Sequence, residues 1–243
     1  VGFPIMRVVG IFSLATGALI DCAMSPYAGK GAGEQTLIRQ LLDNFNEGDI
    51  FLADACYHSY FLIAALINKR VDIVFPKKPS RKTNFSSGER LGSEDHLIEL
   101  AKPKKPEWMD SFDYDAFPST ITIRETKVSF HRAGFRDKSK ILVTTLTCNK
   151  TITPQDLNEI YSYRWFVEID LNSIKEIMSM GILRCKTPEM VHKEIWAHLL
   201  AYNLIRKIMA QSASINNSRP RQLSFKLALQ MLCALSQAGI LCD

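Results

Sequence analysis

Four side chains between positions 161 and 175 have types suited to work on a phosphodiester. Tyr161, Arg164, Glu168 and Lys175 are separated by three, four and seven residues. On a regular α-helix, turning about 100° per residue, they fall within roughly 60° of arc. One face then carries a phenol, a guanidinium, a carboxylate and an ammonium in a line about 21 Å long. Such a stripe can follow a phosphate backbone with its cations, while its carboxylate holds a metal. The competing reading is an exposed helix with an i,i+4 ion pair from Arg164 to Glu168. Trp165, Phe166, Val167, Ile169, Leu171 and Ile174 surround the stripe on several sides. They predict a helix buried over much of its circumference, where charges need partners or a task. A further acid, Asp54, closes the short apolar run Asp49-Ile-Phe-Leu-Ala-Asp54.

The elements that must position these residues can be read from caps and periodicity. Thr153-Pro154-Gln155-Asp156 supplies an N-cap, a proline at the first helical position and an acid at the third. Gly181 closes the same element, so the stripe is expected on one long helix. Thr187-Pro188 starts another helix running to about Ala213, and Leu223–Gln237 gives a third. Near the start, Arg7–Leu14 and Ala18–Met24 are β-rich runs about a Thr16-Gly17 turn, a hairpin. The Gly-rich segment Tyr27–Gly33 contains no Gly-Lys-Ser/Thr and reads as a connection. Glu34–Phe45 is amphipathic through Leu37, Leu41, Leu42 and Phe45. The Asp54 strand, a helix over Ser59–Lys69 and a strand over Val71–Phe75 follow. The order β-β-α-β-α-β predicts a mixed sheet with covering helices, an α/β protein. Residues 76–118 are rich in proline and show little periodicity. Residues 119–147 alternate through Ile121, Ile123, Val128 and Phe130 and again through Ile141–Leu146, a β-rich insertion bearing Arg124, Lys127, Arg132, Arg136, Lys138 and Lys140. Lys69–Lys82 holds six Lys/Arg against the single acid Asp72. A solvated face explains both basic stretches as well as a polyanionic partner does.

Composition bounds the classes. The 243 residues are 47% hydrophobic and 23% charged, which excludes a disordered tail, a collagen-like fibre and a polytopic membrane protein. The net charge of +5 permits a polyanionic partner without requiring one. Six cysteines include no CxxC pair and no zinc pattern, and read as buried thiols of a reducing compartment. The apolar run Val8–Ile20 is too short to span a bilayer. Leu19-Ile20-Asp21-Cys22 makes a poor lipoprotein cleavage site because of its aspartate. The chain opens on Val1 in mid-pattern, which suggests a fragment.

Tyr161-Ser-Tyr-Arg164-Trp-Phe-Val-Glu168-(six residues)-Lys175 resembles the Y-x2-R-x3-E-x6-K signature of the IS4 family of bacterial DDE transposases. EGDIFLADACYHSYFLIA (47–64), VSFHRAGFRDKSKILVTTL (128–146), LRCKTPEMVHKEIWAHLLAYNLIR (183–206) and the opening GFPIMRVVGIFSLATGAL also read as family sequence. The resemblance implies an RNase H-like fold: a core begun over 1–78, a β-rich insertion over 79–150, and the helical remainder over 151–243. It implies metal-dependent cleavage of DNA at transposon ends and strand transfer. Asp54 and Glu168 would be catalytic acids and metal ligands, with Mg²⁺ as cofactor and Mn²⁺ able to substitute. Tyr161, Arg164 and Lys175 would bind DNA. The partners implied are double-stranded DNA at terminal inverted repeats and a second copy of the chain, in the bacterial cytoplasm at the nucleoid and with no membrane.

The family triad is Asp, Asp, Glu. Its first Asp lies in a D-G-T-like stretch before the opening hairpin, which these residues do not contain. Asp21, ending the hairpin, and Asp43, on a helix, are poorly placed to substitute. Ala55-Cys56 also stands where Arg-Gly often follows the second Asp. The chain is therefore expected to be catalytically incomplete. The alternative is a non-catalytic DNA-binding or dimerising remnant that antagonises an intact transposase.

Overall fold

A computed structural model describes residues 5–130 and 138–239. Arg132, Arg136 and Cys242 lie outside these, as does the Lys138 side chain. The chain divides into two compact units: residues up to Val9 with Ala23–Ser162, and Gly10–Cys22 with the residues from Tyr163 onward.

The first unit is built on a six-stranded sheet. Its strands are β3 (Ile50–Leu52), β4 (Asp72–Pro76), β5 (Glu89–Gly92), β6 (Asp95–Ala101), β7 (Thr120–Phe130) and β8 (Lys138–Thr144), in the order β3-β4-β8-β7-β6-β5. β3 and β4 run parallel, with Ile50 opposite Asp72 and Leu52 opposite Val74. The remaining pairings are antiparallel, so the sheet is mixed. Helices α1 (Glu34–Gln40), α2 (Tyr60–Asn68), α3 (Ser111–Ala116) and α4 (Pro154–Ser162) belong to this unit. β4 (Asp-Ile-Val-Phe-Pro) carries Ile73, Val74 and Phe75, all without solvent exposure, as a central strand covered on both faces requires. Val74, Val128, Leu142, Leu157 and Tyr161 form one core cluster in which α4 meets the sheet. α4 starts where its cap predicts. Thr153 Oγ1 accepts the Asp156 N–H at 3.2 Å, and Asp156 Oδ2 accepts the Thr153 N–H at 2.8 Å. This is the mixed sheet flanked by helices that the sequence implied, consistent with an RNase H-like fold.

Four expectations change. The amphipathic run from Glu34 gives only a short α1, followed by a 3₁₀ turn at Leu42–Asn44. Residues 76–118 hold two strands and a helix. Their alternation is hidden because polar residues face inward. Asp95 and His96 are buried in β6, and Arg124, Glu125 and Thr126 in β7. Arg124 Nε and Nη2 bond the Asp95 carboxylate at 2.8 and 2.6 Å, so this arginine is an internal ion-pair partner and not part of a basic surface. Of the cysteines, only Cys22 is buried among the described residues, while Cys56, Cys148 and Cys233 are exposed.

The opening hairpin, β1 (Met6–Phe12) and β2 (Leu19–Pro26), makes a separate two-stranded sheet. Its tip belongs to the second unit. There the Asn203 side chain accepts the Leu19 N–H at 2.9 Å and donates to the Leu19 carbonyl at 2.8 Å, standing in for a neighbouring strand. The second unit is otherwise helical: α5 (Trp165–Asn172), α6 (Pro188–Ile215) and α7 (Phe225–Gln237). α6 is capped by Thr187 and α7 by Ser224, each side chain accepting a backbone N–H three residues on.

Candidate active site and nucleic-acid interface

Asp54 follows β3 by two residues, in extended conformation (φ −80°, ψ 167°), and heads a 3₁₀ turn over Ala55–Tyr57. Its side chain is exposed. The first turn of α1 packs against this turn. Gln35 Nε2 donates to the Cys56 carbonyl at 2.5 Å, and the Cys56 thiol donates to Glu34 Oε2 at 3.4 Å. Partial shielding from solvent, then the carboxylates of Glu34 and Asp54, push the thiol of the otherwise exposed Cys56 up to about 12. Burial and the same two carboxylates also raise the Tyr57 phenol. A second acid, Glu34, thus stands beside the Asp54 turn. Sequence reading missed it because Glu34 looked only like the start of a helix after a flexible loop.

Glu168 lies in the first turn of α5. Arg164 Nη2 bonds Glu168 Oε1 at 2.5 Å, and the two side chains are 21% and 40% exposed. This is the i,i+4 ion pair of the competing reading, and it places guanidinium and carboxylate together. The long regular helix does not form. α4 ends at Ser162, and the Phe166 and Val167 N–H groups bond three residues back, to Tyr163 and Arg164. After Asn172 the chain widens into a π turn over Ser173–Ile177 that carries an exposed Lys175. The 100° phase that aligned four residues is therefore interrupted on both sides of α5. Nor is α5 buried all round, since Trp165, Ile169 and Leu171 are 59%, 44% and 37% exposed. Its inward contacts run through Asp170 and, beyond it, Ser173 and Ile174. Tyr161 falls in the first unit. Its ring is buried in the core cluster, with Lys140 Nζ 5.6 Å from its centroid.

Among the described residues no three His, Cys, Asp or Glu side chains gather as a metal ion would require. The carboxylates of Asp54 and Glu168 are hard oxygen donors of the kind Mg²⁺ takes. One oxygen of Glu168 already serves Arg164. The donor chemistry of these carboxylates fits a divalent ion.

In the first unit an acid follows the edge strand of a mixed sheet, in the second a helix carries an Arg–Glu pair, and comparison places both within one class of protein. The family model described as "Transposase DDE domain" matches residues 2–204, and the chain belongs to this family. Its likeness within that family is to IS4. The chain is 29% identical over 217 residues to "Transposase InsG for insertion sequence element IS4" of Escherichia coli (strain K12), an alignment covering 85% of this chain and 46% of the relative. The chain thus spans about half the length of that relative. Among the described residues no helix is long and apolar enough to cross a membrane.

Proposed function

We propose that this chain serves the transposition of an insertion sequence, binding DNA at the terminal inverted repeats as a homodimer, in the bacterial cytoplasm at the nucleoid. The observation that carries the reading is the half-exposed Arg164–Glu168 pair, within the residues that match the transposase family. Arg164 and Lys175 contact backbone phosphates, and Asp54 and Glu168 provide carboxylate oxygens to Mg²⁺ or Mn²⁺; Tyr161, expected from its spacing to join them, is buried in the core and is left out of this contact. Bound there, the metal would supply charge neutralisation for phosphoryl transfer. The protein's own part is to hold the DNA by its phosphates and keep Glu168 oriented through Arg164.

Two acids fall short of the three that the family signature calls for, so the 243 residues alone neither nick nor join DNA. The test incubates the purified chain with a terminal-repeat duplex and Mg²⁺ or Mn²⁺. Salt-dependent binding without cleavage products is expected. Absence of any duplex binding overturns the DNA reading. Cleavage that disappears in Glu168→Ala overturns the incompleteness.

A further inference from the structure

Because β3 and β4 are parallel neighbours, their carboxyl ends lie side by side. In α/β sheets ligands bind outside such ends. Asp54 follows β3, and the basic turn Lys77–Arg81 follows β4 directly. Beyond Asp54 the chain reaches His58, whose ring is 6% exposed. Its Nδ1 accepts the Lys78 backbone N–H at 3.3 Å, which ties the two strand ends together and leaves the neutral ring's proton on Nε2. A cavity of about 200 Å³ opens at this junction, lined by His58, Lys78, Ser80 and Arg81 with Leu100 and Pro103 as apolar wall.

The charges at this cavity are unequally matched. Arg81 closes the turn by bonding its N–H to the Lys78 carbonyl at 3.1 Å. Its Nη2 pairs with Glu125 Oε1 at 2.6 Å, while its shielded Nη1 meets no hydrogen-bond partner among the described residues. Lys77 Nζ donates to the Arg81 carbonyl at the same turn. Burial pushes the His58 imidazole down to about 4, and the cations Arg81, Lys78 and Lys77 push it the same way. Burial disfavours any charge, whereas the three cations favour an anion at the same place. Glu125 offsets one cation, and the lysine charges remain.

We propose that this cavity is a phosphate seat for the DNA backbone, with the Lys78 ammonium, the Ser80 hydroxyl and His58 Nε2–H as donors to one phosphodiester beside Asp54. The proposal rests on the DNA-acting reading above. The contact is to backbone, so it fixes the strand's position and carries no sequence preference.

The test measures duplex affinity against salt for the full chain and for Lys78→Gln and Ser80→Ala, both on a solvent-facing turn. Lys78→Gln is expected to weaken binding to every duplex alike, by roughly three- to tenfold at low salt, and to lower the log–log salt slope by about 0.9. Ser80→Ala should weaken binding with the slope unchanged. Affinities and slopes equal to the parent's in both variants overturn the seat while leaving the DNA reading intact. A parent chain that binds no duplex overturns that reading, and with it DNA as the source of the phosphate. Inorganic phosphate is titrated while the His58 ring resonances are followed. A response lost in Lys78→Gln, with duplex affinity unchanged, would assign the cavity to free phosphate and overturn the DNA source.

Discussion

Two carboxylates two residues apart on α5 have opposite surroundings. Glu168 is 40% exposed and shares its helix with one partner, Arg164. Asp170 is fully buried and takes two guanidinium groups from distant sequence, Arg206 Nη2 at 2.5 Å and Arg221 Nη1 at 2.7 Å. The buried arginines are held in turn. Arg206 Nε donates to Tyr202 Oη at 2.9 Å, and that hydroxyl donates to the Gly17 carbonyl at 2.6 Å. Arg221 donates to the carbonyls of Leu14 and Ser13. Their planes lie near the rings of Phe225 and Phe166, each about 5.0 Å from a ring centroid. Gly17 fits this knot for two reasons, φ +80° and a Cβ position only 2.8 Å from Arg206 Cζ. The two carboxylates look alike in sequence, yet burial assigns them different work. Removing one partner of a buried pair leaves an uncompensated charge and costs about 3–5 kcal/mol. Removing one partner of an exposed pair costs about 0–1 kcal/mol.

The largest effect is expected at Asp170. Asp170→Asn strands two buried guanidinium groups and should lower stability by about 3–5 kcal/mol in urea unfolding. A loss below about 1 kcal/mol would erase the contrast with Glu168. A smaller effect is expected at His58, a buried ring whose neighbouring charges are the cations Arg81, Lys78 and Lys77. The unfolded ring takes a proton below its ordinary value of 6.5, the folded ring only below about 4. Between those values the unfolded state binds more protons, so stability is full above 6.5 and falls as pH falls towards 4. From pH 7 to pH 5 the parent should lose about 2 kcal/mol more than His58→Gln. Equal pH profiles for parent and variant would refute it. The smallest effect is expected at Glu168. Glu168→Gln should change stability by less than about 1 kcal/mol, and a loss as large as that of Asp170→Asn would make Glu168 a structural residue.

Much of the architecture was legible in the sequence, because capping and alternation are local. Thr153-Pro154, Thr187-Pro188 and the Gly17 turn stand where they were expected. β5 and β6 were not legible, since Asp95 and His96 count as outward residues until Arg124 and Glu125 meet them from the next strand. The break at Tyr163–Arg164 and the π turn at Ser173–Ile177 were hidden for a different reason. Nothing in the composition of this segment forbids a continuous helix; the first break falls where the chain enters the second unit, and the π turn lies within that unit. At the site, residue types and the Arg164–Glu168 spacing were readable. The Asp170 network was not, because Arg206, Arg221 and the hairpin tip converge on it from separate parts of the sequence.

The proposed division of labour on α5 turns Arg164 and Glu168 to DNA and Asp170 to the interior. Its most direct test is the salt dependence of duplex binding by Arg164→Gln, beside Arg219→Gln as an exposed arginine outside the proposed interface. Arg164→Gln should weaken binding and lower the log–log slope by about 0.9, with the Arg219 variant close to the parent. A slope and affinity for Arg164→Gln equal to the parent's would contradict the claim.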